Sequence, residues 1–185
     1  MLSLKVGCPD ESTQSLLSRY CLAPLSNQDG FLGNLLTSLY IYNRGWLNNN
    51  SIFNALRHCS NLTDLKIDGL IIYSLDDLIP FLTSKCQHLY LEKPKGSGGS
   101  SFGCATSFVT NCPNLASLSL IGFELSEKIA CVLLKGLRKL KYLNLSRTVG
   151  VNGDFLRTLH VNGDYLTTGV TAILLAHQSS LWKSC

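Results

Sequence analysis

The pattern Leu-x-x-Leu-x-Leu/Ile returns along this chain at a nearly constant step. It stands at Leu36-Thr-Ser-Leu39-Tyr-Ile41, Leu62-Thr-Asp-Leu65-Lys-Ile67, Leu115-Ala-Ser-Leu118-Ser-Leu120 and Leu140-Lys-Tyr-Leu143-Asn-Leu145. A damaged copy starts at Leu89, within Cys86-Gln-His-Leu89-Tyr-Leu91. The leading leucines at 36, 62, 89, 115 and 140 are 26, 27, 26 and 25 residues apart. Cysteine keeps the same phase, three residues earlier, at Cys59, Cys86 and Cys112. A fixed period of this size predicts a stack of like units, each touching its neighbours, rather than one closed core.

Each unit reads as one strand plus one helix. In Asp64-Leu65-Lys66-Ile67-Asp68 the side chains alternate, so Leu65 and Ile67 point one way and the polar residues the other. The following segment covers the leucine side with helical spacing. After Leu65, Ser74 is the expected N-cap with Asp76 and Asp77 in the first turn, followed by an apolar stripe Leu75, Leu78, Ile79 and Leu82 that Pro80 shortens or kinks. Ser51 is expected to cap the helix before Cys59, and Ser126 the helix carrying Ile129, Val132, Leu133 and Leu137. Stacked, the units give an α/β solenoid of about five to six leucine-rich repeats, with short parallel strands on the concave face and helices on the convex face.

The 185 residues make one domain: an irregular leading repeat over 1–33, regular repeats over 34–160, and a C-terminal helix over 161–185 that caps imperfectly. Leu2-Ser-Leu4 reads as the tail of an earlier strand, so the chain is expected to be a fragment of a longer solenoid. The C-terminal helix over 167–182 is too apolar for a good cap, which predicts exposed leucine and self-association. Leu156–Val161 is an alternative sixth strand. Charged residues are only 15% of the chain, and a net charge of +4 without a Lys/Arg run longer than two implies neither a nucleic-acid nor a membrane partner. No apolar run approaches the ~18 residues of a membrane helix, and Lys5, Cys8, Pro9 and Asp10 interrupt any leader-like stretch. The eight cysteines are therefore expected to be reduced thiols in the cytoplasm or nucleus, and the three Asn-x-Ser/Thr sequons to be chance.

The run Cys-x-Asn-Leu, at Cys59-Ser-Asn61-Leu62 and Cys112-Pro-Asn114-Leu115, together with helices ending in cysteine and a step near 26, resembles the cysteine-containing leucine-rich repeats of F-box/LRR and plant BTB/POZ–LRR proteins. The resemblance covers residues 34–160. It implies a non-catalytic protein-binding module, the substrate-recognition part of a cullin-type (SCF) ubiquitin ligase receptor. Departures are Arg44, Leu70, Phe123 and Thr148 where the subclass often has Cys or Asn, and residues 1–33 carry no F-box-like or BTB-like segment. A ligase-adaptor role would need a module beyond these residues; without one the chain is a structural solenoid fragment with no partner of its own.

Catalytic and metal chemistry find no pattern. The four histidines lie in no HExxH arrangement, the eight cysteines form no CxxC, and Gly-x-Ser-x-Gly is missing. Residues 96–103 are Gly or Ser at seven of eight positions without a following Lys-Ser/Thr, which predicts a flexible insertion rather than a phosphate loop. No metal or cofactor is expected, and the phase-locked cysteines read as small core hydrophobes. Recognition is left to the polar strand positions. The candidate contact residues are Tyr40, Tyr42, Asp64, Lys66, Asp68, Ser117, Ser119, Tyr142 and Asn144, with Ser38, Ile121 and Ser146 beside them. The tyrosines are the expected anchors, because each offers a large ring and a hydroxyl at low entropy cost. Trp46 is a rim candidate.

Overall fold

Wherever apolar and polar side chains alternate, a short strand forms, because only a period of two puts the leucines on one side. The computed structural model describes residues 2–7, 21–26, 31–43, 47–97, 102–151 and 171–173. Its strands are β1 (Leu2–Gly7), β2 (Leu36–Tyr42), β3 (Asp64–Asp68), β4 (His88–Glu92), β5 (Ser117–Ile121), β6 (Tyr142–Asn144) and β7 (Thr171–Ile173). They form one seven-stranded sheet in chain order, with every neighbouring pair parallel. A parallel neighbour needs a crossover connection, so each unit leaves its strand, crosses one side of the sheet and returns one strand spacing along. The architecture is α/β and solenoid-like.

Strand register explains the core. Leu4, Leu39, Leu65, Leu89, Leu118 and Leu143 share one row, and Val6, Ile41, Ile67, Leu91 and Leu120 the next. From β2 to β6 none of these is more than 2% exposed. Each such side chain contributes roughly 1.5–3 kcal/mol by leaving water. The leucine side is covered by Ile52, Ala55, Leu56, Phe108, Ala130 and Leu133 of the connecting segments, all in the same core cluster.

The same register corrects the phase of the third copy. Leu89 stands opposite both Leu65 and Leu118, so it is the second leucine of its unit and not the first. The first position is Cys86, whose amide donates to Thr83 O at 3.0 Å, as Leu62 donates to Cys59 and Leu115 to Cys112. Cys86 thus replaces a leading leucine, and Thr83 takes the place that Cys59 and Cys112 hold. Counted on equivalent leucines 39, 65, 89, 118 and 143, the steps are 26, 24, 29 and 25, and the long one contains the Gly/Ser segment.

On the covered side run α1 (Phe31–Leu35), α2 (Asn49–Leu56), α3 (Ala105–Asn111) and α4 (Glu127–Gly136). Ser126 caps α4 as expected, its hydroxyl accepting from Ile129 N at 3.3 Å, with Glu127 in the first turn and Lys135 in the last to suit the helix dipole. The cap of α2 is Asn48 and not Ser51: the Asn48 side chain accepts from Ser51 N at 2.8 Å. Ser74 does accept from Asp76 N, but the helix expected after it is two 3-10 turns, Leu75–Asp77 and Ile79–Phe81. Pro80 supplies no amide donor, and the 24-residue step leaves less chain to wind. The helix α3 is capped from the neighbouring unit: Asp76 accepts from Gly103 N at 3.1 Å and Cys104 N at 2.9 Å.

A second correction concerns the C-terminal segment. Where a helix was expected over 167–182, Thr171–Ile173 is a strand that pairs in parallel with β6. The unpaired edge of β6 offers a backbone ladder to a β-branched segment whose apolar run does not by itself distinguish helix from strand. The remainder of 161–185 and the alternative strand at 156–161 lie outside the described residues. At the other side of the strands, Gly69 turns the chain with φ +85° and passes so close to β2 that a Cβ would sit 1.6 Å from Asn43 O. Only glycine fits both demands.

Candidate protein-binding face

With leucine rows buried on one side, the alternate positions of every strand are forced onto the open side of the sheet. Three rows cross it. The first is Ser3, Ser38, Asp64, His88, Ser117 and Tyr142; the second is Lys5, Tyr40, Lys66, Tyr90, Ser119 and Asn144; the third is Gly7, Tyr42, Asp68, Glu92 and Ile121. All nine candidate contact residues therefore lie on one face. Tyr42 is exposed, and Tyr40, Asp64, Lys66, Asp68, Ser117, Tyr142 and Asn144 are half-buried. Ser119 is 4% exposed and Ser38 2%, so neither offers a surface to a partner.

Three residues at the centre of this face escaped the sequence reasoning: His88, Tyr90 and Glu92 of β4. The signal was present in the alternation His88-Leu89-Tyr90-Leu91-Glu92, hidden by the wrong phase of that unit. Tyr90 and its neighbours are joined by cation–π contacts. The Lys66 ammonium lies 4.4 Å from the Tyr90 ring centre and 5.3 Å from that of Tyr42, and Lys5 lies 5.6 Å from that of Tyr40. Such contacts contribute about 0.5–1 kcal/mol at exposed sites. They hold long lysine chains in place on a face where they would otherwise sweep freely.

Glu92 gathers two donors. The Tyr90 hydroxyl donates to it, and Arg147, in the turn after β6, forms an ion pair with it. Burial first, and then the hydrogen bond to Glu92, push the Tyr90 hydroxyl well above its ordinary range. Arg147 has a left-handed backbone at φ +57°, in a turn where Thr148 donates to Leu145 O and Ser146 N to Asn144 Oδ1. The pair reaches from β4 past β5, and Ile121, which stands opposite Glu92 on β5, is only 7% exposed. Asp64 accepts from Thr63 Oγ1 at 2.5 Å and Ser38 Oγ at 3.4 Å. Where the strands end, a cleft of about 620 Å³ opens between Asp68, Gly69, Ile71, Glu92, Lys95 and Arg147.

The cysteines belong to the interior. Cys59 Sγ donates to Ala55 O at 3.2 Å. Burial pushes the Cys59 thiol up to about 11 and the Cys86 thiol up to about 12, and raises that of Cys112 as well. At neutral pH these thiols hold their protons and supply no thiolate nucleophile. Among the described residues no group of three or more His, Cys, Asp or Glu is placed to hold a metal, and no helix is long and apolar enough to cross a membrane. Trp46, His160 and His177 lie outside the described residues.

No family model matches the sequence. Similar proteins are nonetheless known. F-box protein SKIP17 of Arabidopsis thaliana is 44% identical over 167 residues, covering 84% of this chain and 34% of that protein. F-box protein At4g02760 of the same plant is 42% identical over 161 residues, covering 84% of this chain and 31% of its own length. F-box protein At4g02733, also from Arabidopsis thaliana, is 48% identical over 63 residues, 32% of this chain and 21% of its own. This chain is thus a relative of plant proteins named as F-box proteins, and it spans about a third of the length of SKIP17 and of At4g02760.

Proposed function

We propose that this chain is a non-catalytic leucine-rich-repeat module that binds a protein on the open face of its sheet, and that it is the substrate-recognition part of an F-box (SCF-type) ubiquitin ligase receptor. The observation that carries this is the row arrangement itself. Tyr40, Tyr42, Tyr90 and Tyr142 stand on one solvent-facing surface above the buried aliphatic rows of the strands, the first three of them in contact with Lys5 or Lys66. Rings held at low entropy cost are the usual anchors of protein interfaces. The F-box names of the relatives support the ligase context. In this reading residues 1–185 are one domain of a longer solenoid, and a Skp1-type adaptor is met by another part of the protein. The compartment is the cytoplasm or nucleus, a reading that the thiols of Cys59, Cys86, Cys104, Cys112 and Cys131 support.

The test is affinity capture from cell extract with the wild-type chain and with the Tyr40→Ala/Tyr142→Ala double variant. Truncating two anchors is expected to cost about 2 kcal/mol or more, enough to lose most of a specifically captured protein. Melting temperature controls for folding. Equal recovery of the same proteins by both chains sinks the open-face assignment.

A further inference from the structure

We infer that the rim where the strands begin is a second protein-binding surface, and that its partner is an acidic segment, a short stretch rich in Asp and Glu. This surface is separate from the open face and does not depend on it. Five exposed cations stand on the rim: Arg57 before β3, Lys85 before β4, and Arg138, Lys139 and Lys141 before β6. A ladder of side-chain bonds fixes where they lie. Asn61 Nδ2 donates to Asn34 O at 2.6 Å, and Lys85 Nζ donates to Asn61 Oδ1. Asn114 Nδ2 donates to Ser84 O at 2.7 Å, and Lys139 Nζ to Asn114 Oδ1 at 2.6 Å. These bonds run from unit to unit, so the segments before β2 to β6 form one continuous edge. On the same edge the Arg57 guanidinium lies 5.7 Å from the Phe81 ring centre.

The partners of Lys85, Lys139 and Arg57 are amides and a ring, which position a cation without cancelling its charge. Among the described residues, Asp68, Asp76, Asp77, Glu92, Glu124 and Glu127 all end or follow a strand and belong to the opposite rim. Asp64 alone begins a strand, and it accepts from Thr63 and Ser38 on the open face. Partial charges at the carbonyl ends of α2 and α4 offset Arg57 and Arg138 in part and leave the surplus. A one-signed rim attracts the opposite sign and fixes its register. From β3 to β6 the rim spans three strand spacings, roughly 14 Å, and an extended chain covers that in about five residues. The cations form a narrow ridge, interrupted before β5 by Pro113 and Asn114, which suits a single acidic stretch better than the broad phosphate surface of a nucleic acid.

The probe is a fluorescein-labelled peptide of alternating Asp and Glu, titrated with the full chain and followed by anisotropy at low and at physiological salt. Binding is expected to weaken as salt rises, because exposed charges are screened. Lys85→Glu/Lys139→Glu should bind on the order of tenfold more weakly than wild type. Lys95→Glu/Lys128→Glu makes the same change of net charge at the opposite rim and should bind as wild type does. Arg138→Gln/Lys141→Gln, which spares every ladder bond, should lose several-fold, so the test survives any unfolding of the first variant. Equal losses at both rims reduce the effect to net charge and overturn the inference, as does the absence of binding to wild type. A single-stranded oligonucleotide of equal charge that binds more tightly than the peptide, with the same dependence on Lys85 and Lys139, overturns it in favour of nucleic acid. The Tyr40→Ala/Tyr142→Ala chain should bind the peptide as wild type does, so failure of the open-face reading and failure of this one are read separately.

Discussion

From β2 to β4 the open face is aromatic and charged, with Tyr40, Tyr42, Asp64, Lys66, Asp68, His88, Tyr90 and Glu92; across β5 and β6 it is uncharged, with Ser117, Ser119, Ile121, Tyr142 and Asn144. The covered side differs in the opposite sense. Between β3 and β4 the connection is two 3-10 turns around Pro80, whereas between β5 and β6 it is the ten-residue α4. Yet the rows beneath are the same: Leu65 and Ile67 in one half, Leu118 and Leu120 in the other, all at most 2% exposed. Stacking constrains only what neighbouring units share, which is the strand register and the aliphatic rows. A unit is free to exchange a helix for two turns, or a charged face for a neutral one, without disturbing the next.

The largest expected effects test the shared interior. Leu65→Ala and Leu118→Ala should each lower stability by about 2–5 kcal/mol in urea unfolding. A loss under about 1 kcal/mol at either position would break the equivalence of the halves. Alkaline pH comes next. Burial raises the Cys59 and Cys86 thiols from 9.0 to about 11 and about 12. Above pH 9 the unfolded chain therefore releases thiol protons that the fold retains, and stability falls as pH rises. Each thiol subtracts up to about 1.4 kcal/mol per pH unit in that window. Urea midpoints followed from neutral pH to above 10 should decline less steeply in Cys59→Ala, and an identical slope would count against burial as the cause.

Caps sharpen the contrast between local and borrowed support. Ser126→Ala removes a cap that α4 carries in its own unit, and Asp76→Ala one that α3 receives from its neighbour. Each should cost ~1 kcal/mol in the same unfolding assay. An unchanged Asp76→Ala protein would show that the cross-unit contact contributes nothing. The smallest difference lies on the open face. Lys66→Ala, which empties the site between the Tyr42 and Tyr90 rings, should cost up to about 1 kcal/mol by thermal melting, and Ser117→Ala less than about 0.5 kcal/mol.

Strand positions were legible because alternation is local: Leu39-Tyr40-Ile41 and Leu65-Lys66-Ile67 declare both faces without reference to anything distant. The caps at Ser74 and Ser126 were legible for the same reason, whereas in Asn48-Asn49-Asn50-Ser51 several residues can cap and only the observed bond chooses Asn48. The unit around β4 was misphased because cysteine, a small hydrophobe, stands for its leading leucine at Cys86. That single substitution removed Tyr90 and Glu92 from the candidate face. The burial of Ser119 was equally out of reach, since exposure on a sheet depends on the bulk of side chains from neighbouring strands.

By itself, then, the order of residues determined a periodic interior, the parallel strands that follow from it and the face on which its tyrosines stand, since each depends on spacing within one unit. Tertiary structure alone decided that Asp76 caps a helix 28 residues further on, that Arg147 reaches Glu92 across 55 residues, and that Thr171–Ile173 joins the sheet. Those contacts arise only when one unit is set beside another, and the identity and height of the neighbour are properties of the assembled stack.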